Sequence, residues 1–270
     1  MKDILKEIVE SKRQEVEQHR QVCSMEYLAD EVRKVMAIPL PHYSMSEALR
    51  KSATGIIAEF KRKSPSKGWI HESASPEVVI PAYLQAGATA LSILTDGPYF
   101  GGNLKYIKQV RQEVSIPILR KDFIIDEYQL LEAKLVGADA VLLIAACLSL
   151  EDCINLINKA HEIELEVLLE VHNPEELAYI KGLPEMVGVN NRNLGSFVTD
   201  VQNSFRMADA LRESVKGLDY HPVLVSESGI SNPQTIRDLR DIGYRGFLIG
   251  ETFMKTPHPA ETLKHFIQEL

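Results

Sequence analysis

TGIIAEFKRKSPSKGWI, residues 54–70, is the stretch from which the rest of the chain can be read. Ile56, Ile57 and Ala58 run straight into Glu59, Lys61, Arg62 and Lys63, and Ser64, Pro65, Ser66, Lys67 and Gly68 then form a stiff polar loop. A buried strand that ends in charges and opens into a loop is how α/β barrels bring side chains to the mouth of a site. Residues two apart on a strand share a face, so Glu59 and Lys61 point the same way. If that face looks into a barrel, they are a paired acid and base directed at a substrate. The plainer alternative is a strand end with a solvated basic loop.

Outward from this stretch a rhythm appears. Short apolar runs lie at 56–61, 88–96, 116–123, 138–146, 165–172, 186–194, 221–230 and 246–253. Between them fall helical patterns at Pro76–Gln85, Glu127–Leu135, Leu150–His161, Glu175–Lys181, Asn203–Val215 and Pro233–Asp241. AGATAL, VGADAV and IGYRGF each place a glycine before a strand, as a left-handed helix exit requires. Nearly continuous apolar strands alternating with helices imply a parallel sheet covered on its faces. Eight such units predict an α/β fold, a (β/α)₈ TIM barrel. A doubly wound open sheet would favour a glycine-rich fingerprint after its first strand, where this chain has KRKSPSKG.

The 270 residues are 45% apolar, enough for one large core, and residues 1–270 are expected to form a single barrel domain. Residues 1 to about 46 differ from the rest. Ile4, Leu5, Ile8, Val9 and Val16 recur at helical spacing within a charged stretch, which predicts an amphipathic helix. Pro39 and Pro41 mark a break, and Ser46 is expected to cap a helix beginning at Glu47. This extension is expected to pack on the barrel and cover its mouth; an arm for binding a partner is the alternative. A formal charge of −8 argues against nucleic acid and anionic membranes as partners, so any bound anion needs a local arrangement. Cys23, Cys147 and Cys153 lack metal-type spacing and read as reduced thiols. The charged start has no signal-type apolar region, and the longest apolar run, Ala140 to Leu148, is too short to span a bilayer. A cytoplasmic protein is expected.

Barrel chemistry sits at the C-terminal strand ends. In order these offer Glu59 and Lys61; Asp96 with Tyr99, Phe100, Gly101 and Gly102; Lys121, Asp122 and Phe123; the silent Ala145 and Ala146; Glu170 and His172; Asn190, Asn191 and Arg192; Glu227, Ser228 and Gly229; and Gly250, Glu251 and Thr252. Lys121 ends an apolar strand, where burial would lower its pKa and suit it to proton transfer or imine formation; pairing with Asp122 at the rim is the plain reading. Glu170 ends LEVLLEV and needs a cation, for which Lys121 is a candidate. Gly229 and Gly250 stand where barrels bind phosphate through loop amides and a short helix. His172 follows Glu170 by two, but no third ligand joins them, so no metal is assigned.

IIAEFKRKSPSKG, the YFGG loop, PILRKDF, LLEVH, VGVNNRNL, VSESGI and FLIGETFM together resemble the indole-3-glycerol phosphate synthase family, and ILKEIVESKRQEV resembles its N-terminal helical extension. The resemblance covers essentially the whole chain; AEFKRKSPSKG and RKDF are its specific motifs. It implies ring closure of 1-(2-carboxyphenylamino)-1-deoxyribulose 5-phosphate with loss of CO₂ and water, without a cofactor. By position it implies Lys121 as general acid, Glu170 as its acid/base partner, and Lys61, oriented by Glu59, as anion holder or second acid. Asn190 and Glu227 would hold polar groups of the substrate, with Arg192 and Ser228 nearby in the same binding site, and Phe100 and Phe123 would flank the aromatic ring. Ser64, Gly229, Gly250, Glu251 and Thr252 would form the phosphate site, Glu251 through its backbone N–H. The resemblance also implies a single-function chain, since nothing like phosphoribosylanthranilate isomerase follows residue 270; a monomer or weak homodimer is expected. Two rivals use the same residues: an imine-forming aldolase with Lys121 as nucleophile, and a non-catalytic sugar-phosphate binder.

Overall fold

The computed structural model describes residues 4–39, 41–193, 198–217 and 219–270. Eight parallel strands close into a barrel: β1 Ile56–Phe60, β2 Ala90–Leu94, β3 Ile118–Lys121, β4 Ala140–Ile144, β5 Glu166–Val171, β6 Met186–Asn190, β7 Val223–Glu227 and β8 Gly246–Ile249. Closure pairs β1 with β8, setting Ile57 beside Leu248. Each apolar run read from the sequence contains one of these strands; Leu194, at the end of the sixth run, lies outside the described residues.

Successive side chains on a strand point to opposite faces, and this sorts the strands into two cores. Ile57, Leu119, Leu142, Leu168, Val225 and Leu248 pack inside the barrel. Ile56, Ile93, Val141, Leu169, Val187 and Phe247 pack outward against the helices. The inward parity continues to Glu59, Lys121, Glu170, Asn190 and Glu227 at the C-terminal ends. Asp122 has the other parity and leaves Lys121 for the outer face.

Helices run over Pro76–Gln85, Glu127–Val136, Leu150–Glu162, Gln202–Ser214 and Pro233–Asp241. Gly87, Gly137 and Gly243 carry φ of 99°, 90° and 107°, the left-handed exits anticipated from the repeated motif. The segment expected to be helical at Glu175–Lys181 is a 3₁₀ helix over Pro174–Gly182. Its start is tied by local bonds: Asn173 caps the Glu176 N–H, and Glu176 turns back to accept the His172 N–H at 2.7 Å.

The extension forms three helices, α1 Ile4–Val22, α2 Met25–Met36 and α3 Met45–Lys51, where the spacing suggested one helix and a second from Glu47. Ser24 breaks the first run by taking extended backbone and capping Tyr27. The cap of α3 is Ser44, not Ser46: Ser44 is extended and accepts the Glu47 N–H. Ser46 lies inside the helix, and its hydroxyl donates to Glu166 Oε1 at 2.8 Å. That carboxylate also takes the backbone N–H groups of Met45 and Ser46 at 2.7 and 2.8 Å, a favourable place for negative charge at a helix N-terminus. Met45 and Leu49 of α3 are fully buried against the inner core.

The opposite end carries α1. Ile8 packs with Phe123 and the inner core, while α2 and the end of α1 lie on helix Glu127–Val136 through Val16, Leu28, Val32, Tyr128 and Leu131. Lys12 of α1 is buried and meets Asp122 at 3.0 Å, Asp96 at 3.2 Å and Glu15 at 3.0 Å. The polar loop after β1 is a small hairpin in which Lys63–Ser64 pairs with Gly68–Trp69.

Candidate active site

A cavity of about 590 Å³ opens at the C-terminal strand ends, within the range of small-molecule sites. Glu59, Lys61, Lys121, Glu170, Asn190 and Arg192 line it with Ser228, Gly229, Gly250, Glu251 and Thr252. One wall is apolar: Phe100 and Phe123, with ring centroids 5.9 Å apart, stand with Ile4, Leu5 and Ile8 of α1 and with Leu142 and Leu248. Asp96 positions Phe100 from outside, accepting the N–H groups of Tyr99 and Phe100 at 2.9 and 3.2 Å.

Lys121 is the centre of the polar floor. Its side chain is 15% exposed, and its Nζ lies 3.5 Å from Glu170 and 3.4 Å from Glu227. Burial works against its charge, but Glu227, Glu170 and Glu59 outweigh burial and push the ammonium pKa upward. The sequence suggested a lowered pKa; the sign reverses because carboxylates from three other strands converge on this one cation. These carboxylates favour the ammonium form of Lys121, which can give up a proton but has no free amine pair for attack. Glu170 is buried, which opposes ionisation, yet Lys121 and His172 pull its pKa below the ordinary carboxylate range. Its Oε1 also accepts from Asn190 Nδ2 at 3.0 Å. Glu227 behaves oppositely: burial, with Glu170 and Glu59 as like charges, pushes its pKa up, and beyond the Lys121 contact neither oxygen has a hydrogen-bond partner among the described residues.

Glu59 and Lys61 form the inward pair expected, at 2.5 Å. Burial opposes the charge on Glu59, but Lys61 and then Lys121 lower its pKa. Two cradles explain nearby glycines. A Cβ on Gly188 would stand 2.1 Å from Glu227 Oε1, and one on Gly250 would stand 2.2 Å from Glu59 Oε1. Ser228 and Gly229 are both left-handed, with φ of 70° and 79°, and turn the chain after β7. Above the cavity, Arg192 reaches Ser66 Oγ at 3.2 Å and Glu251 at 3.7 Å, and Lys67 also pairs with Glu251.

Two expected residues stand back from the cavity. Ser64 is buried in the hairpin and does not join the lining, where Pro65, Ser66 and Lys67 stand instead. Glu227 lies beneath the lining, in contact with Lys121. Trp69 is 47% exposed and packs over the Arg62 guanidinium at 5.5 Å, outside the cavity. Asp122 accepts from Thr95 at 2.5 Å and pairs with Arg120 at 3.1 Å and with Lys12. Sequence reasoning missed Lys12, one lysine within a charged helix. Its signal was the inward stripe of Ile4, Ile8 and Lys12, spaced four apart.

A family model described as indole-3-glycerol phosphate synthase matches residues 5–266. An indole-3-glycerol phosphate synthase of Bacteroides thetaiotaomicron is 57% identical over 270 residues, covering 100% of both chains. One of Carboxydothermus hydrogenoformans is 39% identical, covering 96% of this chain and 98% of its own. One of Neisseria meningitidis serogroup B is 41% identical, covering 94% and 95%. Among solved structures, the tryptophan synthase α-subunit of Pyrococcus furiosus matches with a TM-score of 0.60 at 16% identity, over 80% of this chain and 97% of that one, a likeness of fold. The family match and the full-length relatives place the chain in the indole-3-glycerol phosphate synthase family, carboxy-lyases of tryptophan biosynthesis.

Proposed function

We propose that the cavity closes the ring of 1-(2-carboxyphenylamino)-1-deoxyribulose 5-phosphate and that Lys121 and Glu170 carry the proton transfers. The observation that carries this reading is the placement of Lys121 Nζ between Glu170 and Glu227, at 3.5 and 3.4 Å, at the floor of the cavity. The ring carbon bearing the carboxylate attacks the keto carbon, and the carbonyl electron pair moves to oxygen, which takes a proton from Lys121. A cation aimed at a developing alkoxide acts mainly in the transition state. CO₂ then leaves, returning its bonding pair to the ring. The new hydroxyl departs as water with a proton from Lys61, and Glu170 removes a proton from the adjacent methylene to complete the indole double bond. The sum takes up one proton and releases CO₂ and water.

Phe100 and Phe123 suit the aromatic half of such a substrate, while Gly229, Gly250, Glu251 and Thr252 suit its phosphate through backbone amides. Glu251 can stand there because Lys67 and Arg192 neutralise its carboxylate. The imine-forming alternative needs a neutral amine on Lys121, and the field of three carboxylates disfavours one. The test is direct: purified protein with this substrate should develop indole fluorescence, inorganic phosphate should compete, and borohydride should trap no adduct on Lys121. No indole fluorescence, or a trapped adduct, would remove this reading.

A further inference from the structure

Lys121 sits almost midway between Glu170 and Glu227, at 3.5 and 3.4 Å, so distance alone does not decide which carboxylate is the base. The difference lies behind Glu170. His172 Nε2 stands 3.3 Å from Glu170 Oε1, and its Nδ1 stands 3.4 Å from Glu176 Oε2: the largely buried ring has a carboxylate within ion-pair distance on each side, and with neither nitrogen in hydrogen-bond geometry the contact is one of charge once the ring is protonated. Among the described residues nothing comparable backs Glu227, whose cationic contact there is Lys121 itself. We propose that His172 is a positioning residue that assigns the base role to Glu170 by placing a fixed cation behind it, within a chain Glu170–His172–Glu176. This rests on the acid–base reading above and adds the device that breaks the symmetry around Lys121.

Glu176 can hold the ring because it is itself fixed. Its Oε2 accepts the His172 N–H at 2.7 Å and its Oε1 accepts from Asn173 at 3.0 Å. Among the described residues, the titratable groups in contact with the ring are Glu170 of β5 and Glu176 of the following 3₁₀ helix. Across the gap, the end of β6 and the residues after it present Asn190, Asn191 and the cationic Arg192, and helix Gln202–Ser214 presents Asn203 and Arg206, the latter paired to Asp200 at 2.9 Å. Burial disfavours a charged imidazole, but the two carboxylates raise its pKa to about 10, so the cation persists at neutral pH. Two carboxylates of one type are pushed apart: against burial, Lys121 and then His172 draw Glu170 toward the ionised form, while burial with Glu170 and Glu59 as like charges pushes Glu227 toward the protonated form.

The experiment is the pH dependence of kcat for the wild type, His172→Gln, His172→Lys and Glu170→Gln, with melting curves confirming folded enzyme. Wild-type kcat should be flat from about pH 7 down to about pH 5, since the base stays ionised there. His172→Gln should lose about tenfold in kcat and acquire an acid limb about 1–3 pH units higher, the size of an opposite charge removed at this range. His172→Lys, which restores a cation, should regain most of the flat profile. A folded His172→Gln enzyme with the wild-type profile would overturn the inference, as would an acid limb in His172→Lys as high as in His172→Gln. If Glu170→Gln turned over normally, the acid–base reading itself would fall. If Glu170→Gln is inactive and the His172 variants keep the wild-type profile, that reading stands and the role of His172 is lost.

Discussion

The chemistry of single residues here is set by company more than by burial. Lys121 occupies an apolar strand end that would ordinarily drive an amine neutral, yet Glu227, Glu170 and Glu59 hold it charged. Lys121→Ala should lower kcat by about 10² to 10⁴, the loss of a general acid, with little change in KM. The competing view makes Lys121 a structural ion-pair partner, so that its loss lowers melting temperature while folded enzyme turns over normally. Measuring both on one variant separates them, and near-normal kcat would end the proposed role. Gly188 belongs to the same constellation, because a methyl there would meet Glu227 Oε1 at 2.1 Å. Gly188→Ala should therefore displace Glu227 and depress kcat, although Gly188 is not itself on the cavity; unchanged kcat would show that Glu227 tolerates the shift. Strand parity alone makes the inward set of Glu59, Lys121, Glu170, Asn190 and Glu227 legible in the amino-acid sequence. Parity does not carry the sign of the Lys121 shift, since the deciding carboxylates lie on strands far apart along the chain. Ser64 escapes it for a related reason: the SPSKG segment reads as an open loop, and its pairing into a hairpin turns Ser64 inward and leaves Ser66 to face the cavity.

Among the elements, α1 shows how much a charged-looking helix can conceal. Its apolar residues are legible by spacing, and Ile4, Leu5 and Ile8 do reach the cavity wall. The means of attachment is not, because Lys12 finds Asp96 and Asp122 only once the ends of β2 and β3 stand side by side. The three helices of the extension blur into fewer because Ser24 and Ser44, which cap two of them, lie in polar surroundings that resemble loop and helix equally. Lys12 is buried beside two buried acids, and removing one member of such a cluster leaves the others uncompensated. Lys12→Met keeps the length and apolar stem and should cost about 3 kcal/mol of stability, as breaking a buried ion pair does. If α1 is also a wall of the site, KM should rise in the same variant, since Ile4, Leu5 and Ile8 would lose their register over Phe100 and Phe123. Denaturant titration with steady-state kinetics checks both. A less stable enzyme with unchanged KM would make α1 a strut and not a wall.

At the scale of the whole molecule, the buried charges that serve the site also shape stability against pH, and the direction follows from each shift. Asp122 is buried, but Arg120 and Lys12 lower its pKa to about 2 from 3.8. A depressed acid contributes stability that is present above its unfolded pKa and is lost as pH falls through the folded value. His172, raised from 6.5 to about 10, works the other way: its contribution is complete below 6.5 and drains away as pH rises toward 10. Glu227, pushed up from 4.5 to about 8 mainly by burial, loses stability across that interval, and Asp96, pushed upward from 3.8 by burial, begins its loss at that acid value, so both add to the decline as pH rises. Melting temperature should therefore peak on the mildly acidic side of neutral, between the windows of Asp122 and His172, and decline steadily above it. The decline from pH 6.5 to 10 should be shallower in His172→Gln, because that variant has no imidazolium to lose. Calorimetric scans of both proteins across this range decide the point. A wild-type melting temperature still climbing between neutral pH and the folded value of His172 would mean that the Glu170–His172–Glu176 chain does not hold its charge in the folded protein.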